Sequence, residues 1–316
     1  MPRNVFSAWS AAAALSLALA APLAAQPAPS PEAALAAALQ DLRSPDLAAR
    51  RQAVSQLGVL RRPESIPPLR AALSDESPLV RTAVLNVLGL LRAAEAAPDM
   101  ARLATADPDE VVRQQAAVAL GYAGGAASVD ALLSALDDPA AGVRSAAVRS
   151  LGALASDRAT PKLKALLSDP DPGVRRAAVS SLGRVASTSA VSGLGAALAD
   201  PDPALRLEAV KALGAARSSD VRALLKPLLQ DPDPFVRLNA VSALGRRGDR
   251  SGEAAAIGLL GSADPQVRRQ AADSVSLVGS AASGPGALQA ALAREKDPEV
   301  KAALQAAFER LRAKTR

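Results

Sequence analysis

The 316-residue chain is longer than one compact core requires, so it holds either several domains or a repeat array. Apolar residues make up 49% of it and aromatics only 2%, so Ala, Val and Leu must fill the interior, which suits closely packed helices better than strands. With no Cys and no His, thiolate nucleophiles, disulfides, imidazole bases and most transition-metal sites are excluded, and a net charge of +6 interspersed with 31 acidic residues does not by itself imply nucleic acid.

Residues 1–25 differ from the rest. Arg3 supplies one positive charge, and Val5 to Ala21 form an Ala/Leu stretch that runs into the small-residue sequence APLAAQ. This pattern predicts a secretory signal peptide, cleaved after Ala25 or before Ala21, rather than a membrane anchor, because the apolar run is short and rich in Ala. No Cys lies near the junction to carry a lipid. Residues 26–31, with Pro27, Pro29 and Pro31, read as a short extended linker. No later apolar segment is long enough to span a bilayer, so no stable membrane insertion is expected after cleavage.

From residue 32 to 316 the chain repeats itself. The segments DPDPGVRRAAVSSLG (169–183), DPDPALRLEAVKALG (200–214) and DPDPFVRLNAVSALG (231–245) nearly superimpose at a 31-residue spacing. With the Arg of the VR pair as position 0, the series is Arg50, Arg81, Arg113, Arg144, Arg175, Arg206, Arg237, Arg268 and then Lys301. Apolar residues at −1, +3, +4 and +7, such as Val174, Ala178, Val179 and Leu182, mark one face of a second, or B, helix. Gly at +8 in seven units, from Gly58 to Gly245, either admits close helix contact or ends the helix. Asp171, Asp202, Asp233, Asp264 and Asp297 are expected N-caps, each followed by Pro at the first helical position, while Ala140 predicts a weaker start in the fourth unit. Upstream of each B helix lies a first, or A, helix, for example Val129 to Leu136, Pro161 to Leu167 and Val221 to Leu229. Neither helix can bury its apolar face alone, so neighbouring units must stack.

The DPDPxVRxxAVxxLG pattern resembles the short HEAT-like repeats named after phycobilisome bilin lyases, over roughly residues 32–312. The resemblance implies an all-α fold, an α-solenoid wound as a right-handed superhelix of about nine HEAT-like helix-turn-helix repeats. It also implies an inter-repeat ladder of an Asp and an Arg six residues apart, matched by Asp75/Arg81, Asp107/Arg113, Asp138/Arg144, Asp169/Arg175, Asp200/Arg206 and Asp231/Arg237. Ser44, Ser262 and Glu295 stand at the corresponding position in other units. Each Arg sits in the first turn of its helix, where the dipole disfavours a cation, so electrostatics asks for an Asp partner six residues earlier.

Catalytic readings find little support. The DPD turns lack the dense ligand set of an EF-hand loop, so no metal is expected. Helical-repeat hydroxylases of similar architecture use paired His and Glu around iron, which this chain cannot supply. Base-excision glycosylases on related folds lean on aromatics, and the single Trp, Trp9, lies in the expected signal. No Ser-x-x-Lys stands in a recognisable catalytic context, and Arg247-Gly248-Asp249 reads as a chance tripeptide. No cofactor is expected.

In HEAT-like arrays the exposed face of the B helices generally lines the concave side. Positions +1, +5 and +9 share one stripe, which reads Arg51, Val59, Leu90, Val118, Tyr122, Arg149, Arg176, Arg184, Leu207, Lys211, Leu238, Arg246, Arg269 and Asp273. Of these, Arg51, Tyr122, Arg149, Arg176, Arg184, Leu207, Lys211, Leu238, Arg246 and Arg269 are the candidate partner-binding residues. Seven bases against one acid favour a protein or acidic peptide segment as partner. Nucleic acid is disfavoured by the lack of stacking aromatics and by the export signal. The expected function is a non-catalytic scaffold of the envelope or secreted space. The alternatives are an accessory subunit related to bilin lyases or another modifying enzyme, and a passive structural spacer. Gly258, Gly261, Gly279, Gly284 and Gly286 predict that flexibility concentrates between residues 246 and 287, with a hinge before the last A helix.

Overall fold

The computed structural model describes residues 30–315, apart from Arg217 and Ser219. The expected signal peptide and most of the proline linker lie outside the described residues. Pro31 opens the first helix rather than closing a linker, as proline at the first helical position does, and Ser30 caps that helix by accepting from the Ala33 N–H at 3.2 Å.

Among the described residues there are eighteen α-helices and no strand, arranged as nine antiparallel pairs. The B helices are Leu47–Leu60, Pro78–Leu90, Glu110–Ala123, Ala141–Ala153, Pro172–Val185, Pro203–Ala215, Pro234–Gly245, Pro265–Val278 and Pro298–Thr315. The A helices are shorter, down to Val221–Leu225, which passes into a 3-10 turn where Pro227 has no N–H to continue the α-helical pattern. The expected apolar face is the observed core. Val174, Ala178, Val179 and Leu182 are buried, as are their equivalents in repeats two to eight, along one hydrophobic core cluster. Asp46, Asp109, Asp171, Asp202, Asp233, Asp264 and Asp297 accept from N–H groups two or three residues on, whereas Ala140 makes no side-chain cap.

The +8 glycines serve close contact, and all but Gly245 lie inside their helices. A Cβ on Gly152 would lie 2.6 Å from Cβ and 2.8 Å from Cα of Ser181 in the next B helix, and one on Gly183 would lie 2.9 Å from Cβ of Ala212. The backbones approach closely enough for Ser150 and Ser181 Oγ to donate to the carbonyls of Ala117 and Val148 one repeat back, both at 2.9 Å. The first eight B helices end between +8 and +10, and the chain reverses at +11 in six of the units through a positive φ, at Arg61, Arg92, Gly124, Ala155, Ala186 and Gly248, with φ between 48° and 74°. Four of these residues carry a Cβ, a strain that glycine would relieve.

Successive B helices pack along much of their length, while most successive A helices meet sparsely. The stack therefore bends with the B helices on its inner, concave side. Two of the glycines read as a hinge have packing roles, since a Cβ on Gly279 would lie 3.1 Å from Leu311 and one on Gly284 would lie 2.5 Å from it, whereas nothing lies within 4 Å of a Cβ on Gly258 or Gly286. Glu253 ties the same loop down by accepting from the Ser280 N–H at 2.7 Å and from the Ser280 and Ser283 hydroxyls.

Candidate functional site

The most regular charges form a ladder, wired differently from the expectation. In each six-residue pair the two side chains do not bind each other: the guanidinium Nη1 donates to the main-chain carbonyl of the earlier residue, as from Arg144 to Asp138 O at 2.9 Å. The fork formed by Nε and Nη2 faces the following repeat and grips the carboxylate there. The rungs are Arg50 to Asp75, Arg81 to Asp107, Arg113 to Asp138, Arg144 to Asp169, Arg175 to Asp200, Arg206 to Asp231 and Arg268 to Glu295, with N···O distances of 2.7–3.2 Å. The carbonyls answer the dipole problem locally, which frees each carboxylate for the neighbour. The same carboxylate closes its own turn, as when Asp231 accepts from the Asp233 N–H at 2.9 Å. Within DPD, the first acid is the rung and the second is the helix cap.

Arg237 meets no carboxylate among the described residues, because Ser262 stands where the next rung acid should be. Ser262 still closes the turn, accepting from the Asp264 N–H at 3.2 Å, but it cannot reach across. Replacing Ser262 by Asp should complete the ladder and raise stability by about 1 kcal/mol in urea denaturation, an increment that Arg237→Ala should abolish. No gain in S262D would show that the rung needs more than its two side chains.

The rung acids are only 3–11% exposed. Burial alone would raise Asp138, Asp169 and Asp231, but hydrogen bonds from the arginine one repeat back and from the backbone N–H two residues on hold all three below the ordinary carboxylate value. Arg268 lowers Glu295 to about 2. These folded-state values lie below those of the unfolded chain, so the ladder's stabilisation is complete above the unfolded values near 4 and is lost as pH falls through the folded ones. Melting temperatures should therefore hold from neutrality to about pH 5 and drop steeply below about pH 4. A melting point level down to about pH 2.5 would mean that the rungs contribute nothing.

The candidate partner-binding residues lie on or at the end of the B helices, towards the concave face. Arg51, Tyr122, Arg149, Arg176, Arg184, Lys211, Arg246 and Arg269 are exposed there, and Leu207 is half-buried. Leu238 is a correction: it is fully buried and cannot meet a partner. The reason is register. The +1 position lies on the flank towards the neighbouring B helix: Thr82, Gln114, Ser145 and Leu207 are half-buried there, while the long side chains of Arg51, Arg176 and Arg269 extend from it into solvent. Val118 is half-buried, and Asp273 is paired with Arg310 of the last helix. The acidic exception beside the bases is half-buried Glu208, whose carboxyl is raised by burial against the opposing pull of Arg176 and Lys211.

Two other features are accounted for by packing. The tripeptide at 247–249 is structural: the Arg247 guanidinium donates to the carbonyls of Leu213, Gly214 and Ala216, closing the C-terminal end of the sixth B helix, where the dipole favours a cation. Asp249 sits 3.4 Å from Lys226. A cleft of about 620 Å³ opens between Glu253–Leu259 and Gly284–Arg294, but Arg268 and Glu295 on its wall already bind each other. Among the described residues no three acidic side chains gather as metal ligands would, and no helix is long and apolar enough to cross a membrane.

The architecture and its ladder define a helical-repeat solenoid. The HEAT repeat family matches residues 32–121, 104–183, 129–200, 160–242, 191–257 and 222–309, and the chain belongs to that family. Comparison with proteins of curated function yields no match. Among solved structures, YibA of Escherichia coli is 22% identical over 85% of this chain and 98% of its own, with a TM-score of 0.57, a likeness of fold alone. Human deoxyhypusine hydroxylase, solved with glycerol, is 23% identical over 90% of this chain and 97% of its own, but at a TM-score of 0.37 the likeness carries no argument.

Proposed function

We propose that this chain is a non-catalytic protein-protein interaction scaffold of the cell envelope or secreted space, which holds a protein or acidic peptide segment on its concave B-helix face. The observation that carries this reading is the division of labour among charges. The ladder occupies seven of the eight regular arginines with carboxylates, whereas Arg176, Arg184, Lys211, Arg246 and Arg269 stand exposed on the face where successive helices converge. Solvated bases on a rigid curved surface attract acidic segments and fix their register. The absence of His and Cys supports the non-catalytic reading, and the Ala/Leu stretch after Arg3 supports export.

The test is affinity capture from envelope extract by residues 26–316, beside a variant carrying Arg176→Glu, Arg184→Glu and Lys211→Glu. The variant should keep the helicity of the parent, because all three side chains are exposed, and should lose at least about tenfold of the specifically retained partner. Equal capture by both proteins would remove the assignment of this face.

A further inference from the structure

The concave crest changes character along the stack. At +9 the residues are Val59, Leu90 and Tyr122 in repeats one to three, with 80, 59 and 52% exposure. The stripe carries Arg51 in repeat one and no base in repeats two and three, and from repeat four every repeat up to the eighth places at least one exposed base on this face, with Arg184 and Arg246 occupying +9 itself in repeats five and seven. Isolated exposed apolar side chains are ordinary, but three at the same register of three consecutive repeats form a ridge. Tyr122 closes it by lying back over the preceding repeat, its Cδ2 3.6 Å from where a Gly89 Cβ would stand.

We infer that the concave face is a two-part receptor for one extended segment, whose apolar part lies on Val59, Leu90 and Tyr122 and whose acidic part lies on the bases of repeats four to eight. This deepens the scaffold reading and rests on it. Charge complementarity selects an acidic stretch over the second part, and a solvated acidic chain gains nothing from the first. The ridge therefore requires side chains such as Leu or Phe in the same ligand. A second copy of this chain is a poor occupant. The three side chains expose on the order of 300 Å², well below the ~800 Å² per partner of stable interfaces. Adjacent helix axes stand about 8–10 Å apart and a chain in the extended polyproline II conformation advances about 3.1 Å per residue with about three residues per turn, so each repeat spans about three residues and every third side chain faces the ridge. Seven steps from the first repeat to the eighth then take about 20 residues, with apolar side chains every third position over the first part.

The probe is a fluorescein-labelled 20-residue peptide, one half carrying Leu or Phe at every third position and the other rich in Asp and Glu. It is made with the halves in both orders, alongside a version whose apolar residues are Ser. Anisotropy titration of residues 26–316 should show one of the two orders binding at least about tenfold more tightly than the Ser version. Leu90→Ser with Tyr122→Ser should erase that difference while leaving the Ser version's affinity unchanged. Reversal of Arg176, Arg184 and Lys211 to Glu should weaken both peptides. If the reversal weakens binding but the ridge variant does not, the two-part receptor falls and the scaffold reading stands. If neither variant matters, or no peptide binds, both fall. Self-association by sedimentation that the ridge variant abolishes would assign the ridge to a second copy and overturn the inference.

Discussion

Asp231→Ala should destabilise the protein by about 3 kcal/mol, more than an ordinary surface charge deletion by a wide margin. Asp231 receives Arg206 through two hydrogen bonds of 2.8 Å, and both residues are buried. Removing the carboxylate leaves a desolvated guanidinium with only the carbonyls of Asp200 and Pro201, and it leaves the Asp233 N–H without its acceptor. The control is Asp130→Ala, which breaks the pair with Arg158, where the two side chains are 61% and 60% exposed. That loss should not exceed about 1 kcal/mol. Urea denaturation followed by circular dichroism compares the midpoints, and equal shifts for the two variants would refute a special role for the ladder. Repeat arrays need not unfold in one step, so a broadened transition in D231A alone would also mark the rung as a coupling between repeats.

Gly152→Ala and Gly258→Ala should move stability in opposite directions. Alanine is the better helix former by about 1 kcal/mol, so propensity alone favours both substitutions. At Gly258 nothing lies within 4 Å of the added Cβ, and the variant should gain about 0.5–1 kcal/mol. At Gly152 the Cβ would stand 2.8 Å from the Ser181 Cα, which is backbone and cannot rotate away. The two B helices would have to part, and the overpacking cost of about 1–3 kcal/mol should outweigh the propensity gain. A stabilised G152A, measured by thermal melting, would show that the concave contact is loose and that the curvature does not depend on glycine.

The period of 31, the caps at Asp171, Asp202 and Asp233 and the buried face at −1, +3, +4 and +7 were legible in the sequence, because each follows from local chemistry repeated many times. The ladder's members were legible but its wiring was not. An Asp six residues before an Arg has the same spacing whether the pair binds internally or reaches outward, and only the separation of neighbouring turns decides. The left-handed turn at +11 left little trace, since Arg61, Arg92, Ala155 and Ala186 do not announce positive φ as glycine does. Leu238 was misplaced because a helical stripe drawn from spacing has no sharp edge, and one flank of it faces the adjacent repeat. The ridge of Val59, Leu90 and Tyr122 was visible residue by residue, but its continuity required the stack.

The ladder's construction sets where this array can change its length. From rung acid to arginine the count is six in every unit, from Asp75 and Arg81 to Asp231 and Arg237, because one short stretch must close a turn, cap a helix and hold out the guanidinium. From each arginine to the acid that it grips the count drifts: 25 for Arg50 and Asp75, 26 for Arg81 and Asp107, and 27 for Arg268 with the longer reach of Glu295. Insertions are absorbed behind the clasp and never within it. Excising residues 169–199 would bring Asp200 to the place of Asp169, 25 residues after Arg144, and the shortened array would shut on itself with its joinery intact. Whole repeats can thus be lost or duplicated with the rungs preserved, so the number of repeats is free to change while the clasp stays the same.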